Sequence, residues 1–252
     1  MLCSILSLNM EKPTENRTNL TAIQDYFKEV IYGGIDGIVT TFAVVAGFSG
    51  AALMNETTTQ LSFLIVLLFG LANLFADAAS MGLGNFLSVR SEQDLYAISR
   101  RKEAKRIGTN PEEEEALTTK LLQEQGFGKE DATTLAQMYR TNPEYWLSFI
   151  MTHQYDMVDP RGENPVYTGL ATFVSFMIFG AVPLLPFILM PSGDAVTAFW
   201  FSSAGTFAAL VTLGLLKWRV IGSRLWPSLR EVVLVGGTAA VLAFLVGTFF
   251  RL

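Results

Sequence analysis

The sequence is poor in charged residues for its length. Only 16% of its 252 residues are charged, half are apolar, and the mean hydropathy is +0.36, whereas a soluble domain carries about 25% charge. Uncharged runs of 19 to 25 residues occur at 37–55, 57–76, 166–190, 195–216 and 232–250. Because a helix needs roughly 20 apolar residues to cross the hydrocarbon core, these runs exclude a soluble globular protein and an outer-membrane barrel. They predict a polytopic helical membrane protein.

Residues and motifs for several kinds of chemistry are also scarce. Cys3 is the only cysteine, so it permits no internal disulfide, and its place in the N-terminal lead argues against a catalytic thiol. The sequence has no phosphate-binding glycine loop, no Ser-His-Asp set and no His-Glu-x-x-His motif, which argues against an enzyme and against an ATP-driven pump. No basic patch with interleaved aromatic residues indicates a nucleic-acid partner.

Lysine and arginine are distributed unevenly, and their distribution predicts how the chain is oriented in a membrane. Three lie in the N-terminal lead, ten in a polar segment at 90–165 and four at 217–230, whereas the short connections at 55–60 and 191–194 have none. Five spans place all seventeen of these residues on one side. We therefore expect the three basic regions to be cytoplasmic and the C-terminus to lie on the far side.

These patterns predict an all-α membrane protein with five transmembrane helices and a cytoplasmic helical bundle between spans 2 and 3. The expected regions are a cytoplasmic lead at 1–29, transmembrane helices 1 and 2 at 30–89, a cytoplasmic domain at 90–165 and transmembrane helices 3 to 5 at 166–252. In the cytoplasmic domain we expect helices at Ser91–Ile107, Pro111–Gln125, Lys129–Arg140 and Pro143–Met157. Asn110 is expected to cap the second of these, which would bury Leu117, Leu121 and Leu122.

Two acidic residues lie inside the predicted spans. Of 23 acidic residues, only Asp36 and Asp77 do so. An ionisable group in the hydrocarbon costs about 3 kcal/mol or more, so it usually faces a cavity and marks a transport path; a protonated aspartate that bonds between helices is the structural alternative. At about 1.5 Å per residue, Asp36 lies about 8 Å into span 1. Asp77 lies at a similar depth in span 2, which runs the other way.

Span 2 places further candidate ligands beside Asp77. Asn73, Asp77, Met81 and Asn85 recur every four residues and form one helical stripe. Carboxylate and amide oxygens with a thioether suit a divalent metal ion such as Fe²⁺ or Mn²⁺ better than chloride or a sugar, although a methionine stripe alone more often indicates packing. Gly33 and Gly37 form a GxxxG pair, which indicates close helix packing and, around Asp36, a narrow ligand cage.

The cytoplasmic domain contains weaker candidates for metal binding. The run Glu112–Glu115 could bind a cation, but a solvated helix start that matches the helix dipole explains it better. His153, the only histidine, lies near Met151 and Asp156 in the sequence. A lone histidine is more often a surface or packing residue than a ligand, and both interpretations remain open.

Four blocks of sequence resemble the vacuolar iron transporter family. The first is Gly33-Gly34-Ile35-Asp36-Gly37-Ile38-Val39-Thr40-Thr41-Phe42-Ala43, and the second is Ala79-Ser80-Met81-Gly82-Leu83-Gly84-Asn85-Phe86-Leu87 followed by Ser91-Glu92. Asn142-Pro143-Glu144 with Trp146-Leu147, and Pro183-Leu184-Leu185-Pro186, resemble the end of the family's cytoplasmic domain and its third span. The likeness runs from about 25 to 250, and the first two blocks are quite specific.

The resemblance implies a homodimer of five-span protomers that exports Fe²⁺, often also Mn²⁺, from the cytosol in exchange for protons. It places the transport site between the first two spans of both protomers, with the family's aspartate at Asp36 and its methionine at Met81. The family's span-2 glutamate falls on Asn73 here, and Asp77, one turn further on, would supply the missing carboxylate.

The resemblance also bears on the cytoplasmic domain, where plant members of the family collect metal before transport. Glu103, Glu114 and Met151 match metal-collecting positions, whereas Arg106, Leu117, Ile150 and Gln154 fall where other ligands would be. We therefore expect no full multinuclear metal store. Glu103, Glu114 and Met151, with His153, remain candidate ligands. The alternative expectation is that the domain serves mainly in dimerisation or gating.

The sequence thus predicts a dimeric, proton-coupled exporter of Fe²⁺, with Mn²⁺ as a second candidate substrate. Asp36, Asn73, Asp77 and Met81 are the expected ligands, and Asp36 or Asp77 is expected to carry the proton, because metal ligation and protonation compete for one carboxylate. We expect no permanently bound cofactor and a location in a bacterial inner membrane. The alternatives are a membrane-anchored regulator whose intramembrane acids are only structural, and an uncoupled cation channel.

Overall fold

The computed structural model describes residues 26–52, 59–190, 195–222 and 224–249, and these contain helices and no strand. The helices are α1 (Phe27–Ala52), α2 (Thr59–Thr109), α3 (Pro111–Glu124), α4 (Lys129–Arg140), α5 (Pro143–His153), α6 (Pro165–Ala181), α7 (Leu185–Leu189), α8 (Ala195–Ile221) and α9 (Leu225–Phe249). Single 3-10 turns lie at Pro160–Gly162 and Val182–Leu184. Cys3 and most of the N-terminal lead fall outside the described residues.

Five helical stretches are long and apolar enough to cross a membrane. They are Phe27–Ser49, Leu64–Thr109, Pro165–Leu189, Val196–Ile221 and Leu225–Phe249. This finding confirms the predicted all-α architecture with five spans. The helices extend beyond the uncharged runs; α9, for example, begins at Leu225 rather than near 232. Its first turns carry Arg230 and Glu231, and Glu231 pairs with Lys217 near the end of α8.

The described chain divides into two compact units, and α2 contributes to both. The first unit contains the residues up to Met81 and from Ala171 onward. Its core joins side chains of α1, α2, α6, α7 and α8, among them Phe42, Leu74, Phe176 and Phe187. The spans therefore bury one another's apolar faces and leave other apolar side chains exposed on the outside, as lipid-facing helices do.

Glycines set the distance between α1 and α6. A Cβ atom on Gly33 would lie 2.7 Å from the carbonyl oxygen of Thr172, and one on Gly37 would lie 2.6 Å from that of Phe176. Both distances are too short for a side chain, so only glycine permits this approach. The close packing expected of the GxxxG pair is therefore present, and its partner is α6.

The second unit comprises Gly82–Leu170. Its core is formed by Leu122, Ala132, Trp146, Phe149 and Ile150, to which α3, α4 and α5 contribute. The segment expected to form a separate helix at Ser91–Ile107 is instead the continuation of α2, which runs unbroken for 51 residues. No glycine or proline lies between Val89 and Ile107, so the helix has no reason to end where the apolar run ends.

Two local expectations in this unit were wrong. Asn110 makes no capping hydrogen bond to the backbone of α3, and its side-chain amide donates to Glu113 instead; Asn142 is the residue that caps, by accepting from the backbone amide of Tyr145 at 3.2 Å. The last helix ends at His153 rather than Met157, and it could not have reached Met157 because Asp156 has a φ of +53°, which a right-handed helix does not include.

Candidate metal centre

The two intramembrane aspartates lie on different helices of the first unit. Asp36 is on α1 and Asp77 on α2, both side chains are half-buried, and the negative charge of Asp77 acts on the carboxylate of Asp36. Two carboxylates in an apolar layer repel each other unless a cation or a proton neutralises them. Two such carboxylates are chemically suited to bind a divalent cation when both are deprotonated, and to bind protons when no metal ion is present.

Asn73 contacts Asp77 directly. Its amide nitrogen Nδ2 donates a hydrogen bond of 2.6 Å to Oδ2 of Asp77, one helical turn away. An amide donates its N–H group to a carboxylate, so its carbonyl oxygen is directed away from that carboxylate. Asn73 thus holds the carboxylate of Asp77 in place, and its own role as a ligand stays a prediction.

Met81 and Asn85 complete the predicted stripe less directly. Met81 is half-buried and packs against the apolar core of the first unit, so packing is the role that its contacts support, and ligation by its sulfur stays a prediction. Asn85 belongs to the second unit. The structure thus places Asp36, Asn73, Asp77 and Met81 within one unit, and joins Asn73 to Asp77 by a hydrogen bond.

Glu29 is a further acidic residue that the sequence analysis did not single out. It lies in the first turn of α1, seven residues before Asp36, and therefore on the same face of the helix, about 10 Å away along its axis. Its Oε2 atom is buried and has no hydrogen-bond partner among the described residues. Glu29 was expected in the cytoplasmic lead at 1–29, and its seven-residue spacing to Asp36 was the available signal.

In the second unit, Glu103 and Glu114 are buried side by side. Their side chains are 0% and 1% exposed, so the expectation of a solvated acidic helix start was wrong for Glu114. The buried stripe of α3 is Glu114, Thr118 and Leu122. Burial, followed by a hydrogen bond to the carboxyl of Glu103, raises the pKa of Glu114 from 4.5 to about 7.

An arginine and a tyrosine contact this carboxyl pair. Arg106 Nη2 lies 2.8 Å from Oε1 of Glu114, and Arg106 Nη1 lies 3.4 Å from Oε2 of Glu103. The hydroxyl of Tyr155 donates to the same Glu103 oxygen at 2.8 Å. The described residues contain no group of three or more His, Cys, Asp or Glu side chains that could hold a metal ion.

The other two cytoplasmic candidates have different surroundings. Met151 is fully buried in an apolar cluster with Tyr96 and Leu147, against which Tyr155 also packs. His153 is exposed; its ring stacks on Phe149 at 4.1 Å, and its Nδ1 atom lies 2.9 Å from the carbonyl oxygen of Phe149. These contacts account for His153 as a surface residue at the end of α5, and its role as a ligand stays a prediction.

Comparison with known proteins gives matches over most of the chain. The model of the VIT family matches residues 27–248. Vacuolar iron transporter 1 of Arabidopsis thaliana is 33% identical over 218 residues, which cover 86% of this chain and 83% of the relative. Vacuolar iron transporter 2 of Oryza sativa subsp. japonica is 32% identical over 217 residues (86% and 84%), and the vacuolar iron transporter of Toxoplasma gondii is 32% identical over 245 residues (94% and 78%).

Proposed function

Because the chain belongs to the VIT family, we propose that it is a membrane transporter that moves Fe²⁺ out of the cytosol in exchange for protons, with Mn²⁺ as a second candidate substrate. The membership confirms the resemblance inferred from the blocks around Asp36 and Met81. Relatives that cover most of this chain carry the name vacuolar iron transporter, which supports iron as the substrate. No resident cofactor is part of this proposal.

The observation that carries the proposal is the presence of two half-buried carboxylates on two apolar helices of the first unit. The charge of Asp77 acts on Asp36, and Asn73 donates a hydrogen bond to Asp77. Oxygen atoms dominate this set, and Met81 would add the softer ligand that favours Fe²⁺ or Mn²⁺ over Mg²⁺ or Ca²⁺.

The same pair explains how protons could be coupled to metal. A carboxylate must lose its proton to bind a cation, so metal and proton compete for the same oxygen atoms. A high proton concentration on the far side would displace the metal there, and deprotonation on the cytoplasmic side would prepare the pair for the next ion. Asp36 and Asp77 are thus the proposed proton carriers as well as ligands.

A second copy of the chain would complete the ligand set. One protomer supplies two carboxylates and one amide, whereas a hard divalent ion typically binds about six oxygen atoms. Exposed apolar side chains on α2, among them Leu64, Leu68 and Phe75, offer a surface for such a partner. We therefore propose a homodimer with the transport site between α1 and α2 of both protomers.

Glu29 would lie on the approach to this site from the cytoplasm. Its buried, unpartnered oxygen and its place on the Asp36 face of α1 suit a residue that attracts a cation towards the aspartates. With the orientation predicted from the lysines and arginines, the N-terminus and 90–165 face the cytosol. A bacterial inner membrane is the proposed location, whereas the named relatives are vacuolar.

Transport by purified protein in liposomes is the decisive experiment. Fe²⁺ kept reduced, or Mn²⁺, would be supplied outside under an imposed pH gradient, with metal uptake and lumenal pH both recorded. Uptake that depends on the gradient and moves protons supports the proposal. Uptake without a lumenal pH response would show an uncoupled channel, and no uptake by a folded, inserted protein would favour a membrane-anchored regulator.

A further inference from the structure

The buried carboxyl pair of the second unit presents a problem of charge. Glu103 and Glu114 are withdrawn from water, and an ionised carboxylate is stable in such a place only when it is paired. The possible neutralising groups are a proton, a basic side chain or a metal ion. Arg106 is the basic side chain whose nitrogens lie within 4 Å of both carboxylates.

The pair still has oxygen atoms without a donor. Oε1 of Glu103 and Oε2 of Glu114 are buried, and the described residues offer them no N–H or hydroxyl donor, so the hydrogen bond open to them is one between the two carboxyl groups themselves. Thr118, which lies one turn from Glu114 and could have donated, gives its hydroxyl proton to a backbone oxygen at 2.8 Å and accepts from Trp146 at 2.7 Å. Oxygen ligands are thus present in excess of the donors that Arg106 and Tyr155 supply.

We propose that Arg106 is the built-in cation of this carboxylate site, and that its guanidinium occupies the place that a divalent metal ion would otherwise take. Arg106 approaches from the solvent side, since its side chain is 42% exposed, while both glutamates are at the inner end. It links the last turns of α2 to the first turn of α3. A guanidinium is charged at every physiological pH and contacts two carboxylates at once, so the site needs no metal to remain folded.

Among the described residues only two carboxylates meet at this site, and an arginine lies against both. The surroundings retain what a divalent cation requires: two buried carboxylates with unused oxygen atoms and a neighbouring phenol. The site is therefore a latent cation site. Removing the charge of Arg106 is expected to create metal binding here, whereas removing the charge of Asp36 is expected to abolish metal binding at the transport site.

Counting bound Mn²⁺ on the full-length protein tests the proposal. Mn²⁺ per chain would be measured by equilibrium dialysis for the wild type and for Arg106→Gln, with Arg101→Gln as the matched control, because Arg101 is exposed on the same helix. We expect the wild type and Arg101→Gln to bind equal amounts, and Arg106→Gln to bind one additional Mn²⁺ per chain. Adding Glu114→Gln to Arg106→Gln should remove the additional ion.

Two further measurements keep the proposal open to refutation if Arg106→Gln folds poorly. Glu103→Gln alone should leave the amount of bound Mn²⁺ unchanged, since Arg106 already occupies the site; loss of one Mn²⁺ per chain would overturn the proposal. Thermal unfolding of Arg106→Gln should occur at a lower Tm than the wild type, and Mn²⁺ should restore it. A folded Arg106→Gln protein that gains no Mn²⁺, or an unstable one that Mn²⁺ does not restore, would equally overturn it.

Discussion

Neutralising Asp36 gives the sharpest test of the transport site. Asp36→Asn keeps the size of the side chain and removes its charge. Two unit charges 4 Å apart interact by about 4 kcal/mol at an effective dielectric constant of 20, and a divalent ion doubles this value. Even if half of the interaction is offset by solvation, the metal loses roughly 4 kcal/mol of binding, which is about a thousandfold. We expect Fe²⁺ uptake to fall at least a hundredfold.

Loss of folding would not explain such a result. The charge of Asp77 acts on Asp36, so removing one of two like charges relieves repulsion, and Tm should stay equal or rise. Asp94→Asn is the control: Asp94 is exposed and lies 3.9 Å from Arg90 on the same helix, so this variant removes a carboxylate outside the site and should transport normally. Wild-type uptake by folded, inserted Asp36→Asn protein would refute Asp36 as a ligand.

Four further predictions follow from the contacts. Asp77→Gly should abolish uptake, and Asn73→Glu in the same chain should restore a substantial part, because the carboxylate then returns one turn away; uptake is the measurement. Glu29→Gln should slow uptake at low Fe²⁺ concentration and have less effect at saturation, since it weakens the approach rather than the site. Met151→Leu should leave most transport intact, because it keeps the buried volume and removes only the sulfur. The pKa of Glu114 is raised to about 7, so the folded state binds a proton at this carboxyl more tightly than the unfolded state does. Tm should therefore fall as pH rises from about 4.5 to about 7, and the fall should be smaller in Glu114→Gln.

Each of these predictions has a contrary outcome. Unchanged uptake in Asp77→Gly alone would show that Asp77 does not replace the family's glutamate. A loss in Glu29→Gln that persists at saturating Fe²⁺ would place that residue in the site itself. Loss of transport in a folded Met151→Leu protein would point to a metal-binding sulfur, and a Tm that rises between pH 4.5 and 7 relative to Glu114→Gln would mean that Glu114 is stabilised as a carboxylate.

The five spans could be predicted because the bilayer imposes a length and a composition on each one. The ends of the helices could not, because a helix continues through polar residues as readily as through apolar ones where nothing breaks it. This is why α2 runs to Thr109 although its uncharged run ends at 76. The same property explains Glu29: a count of uncharged residues starts span 1 after it, whereas α1 begins before it.

The two aspartates within the spans could be singled out from sequence because charge is rare there. Asp36 and Asp77 are the only acidic residues in the predicted spans, so their depth alone suggested that they meet. The hydrogen bond between Asn73 and Asp77 follows from their four-residue spacing on one helix. The partner of Gly33 and Gly37 was not accessible, because a GxxxG pair indicates that some helix comes close without specifying which one.

The buried pair of the second unit shows where sequence patterns fail for a physical reason. Glu103 and Arg106 have the three-residue spacing of an ordinary surface ion pair, and Glu114 belongs to a run of acids that suits any exposed helix start. Their burial is decided by chains distant in sequence: Tyr155 donates to Glu103 across 52 residues, and Trp146 donates to Thr118 across 28. The local signal of this burial was the four-residue spacing of Glu114, Thr118 and Leu122, which places all three on one face of α3. Because Leu122 is apolar, that face is expected to be directed inward together with Glu114. A charged residue on such a face requires a counter-charge, and Arg106 is the residue whose position supplies it.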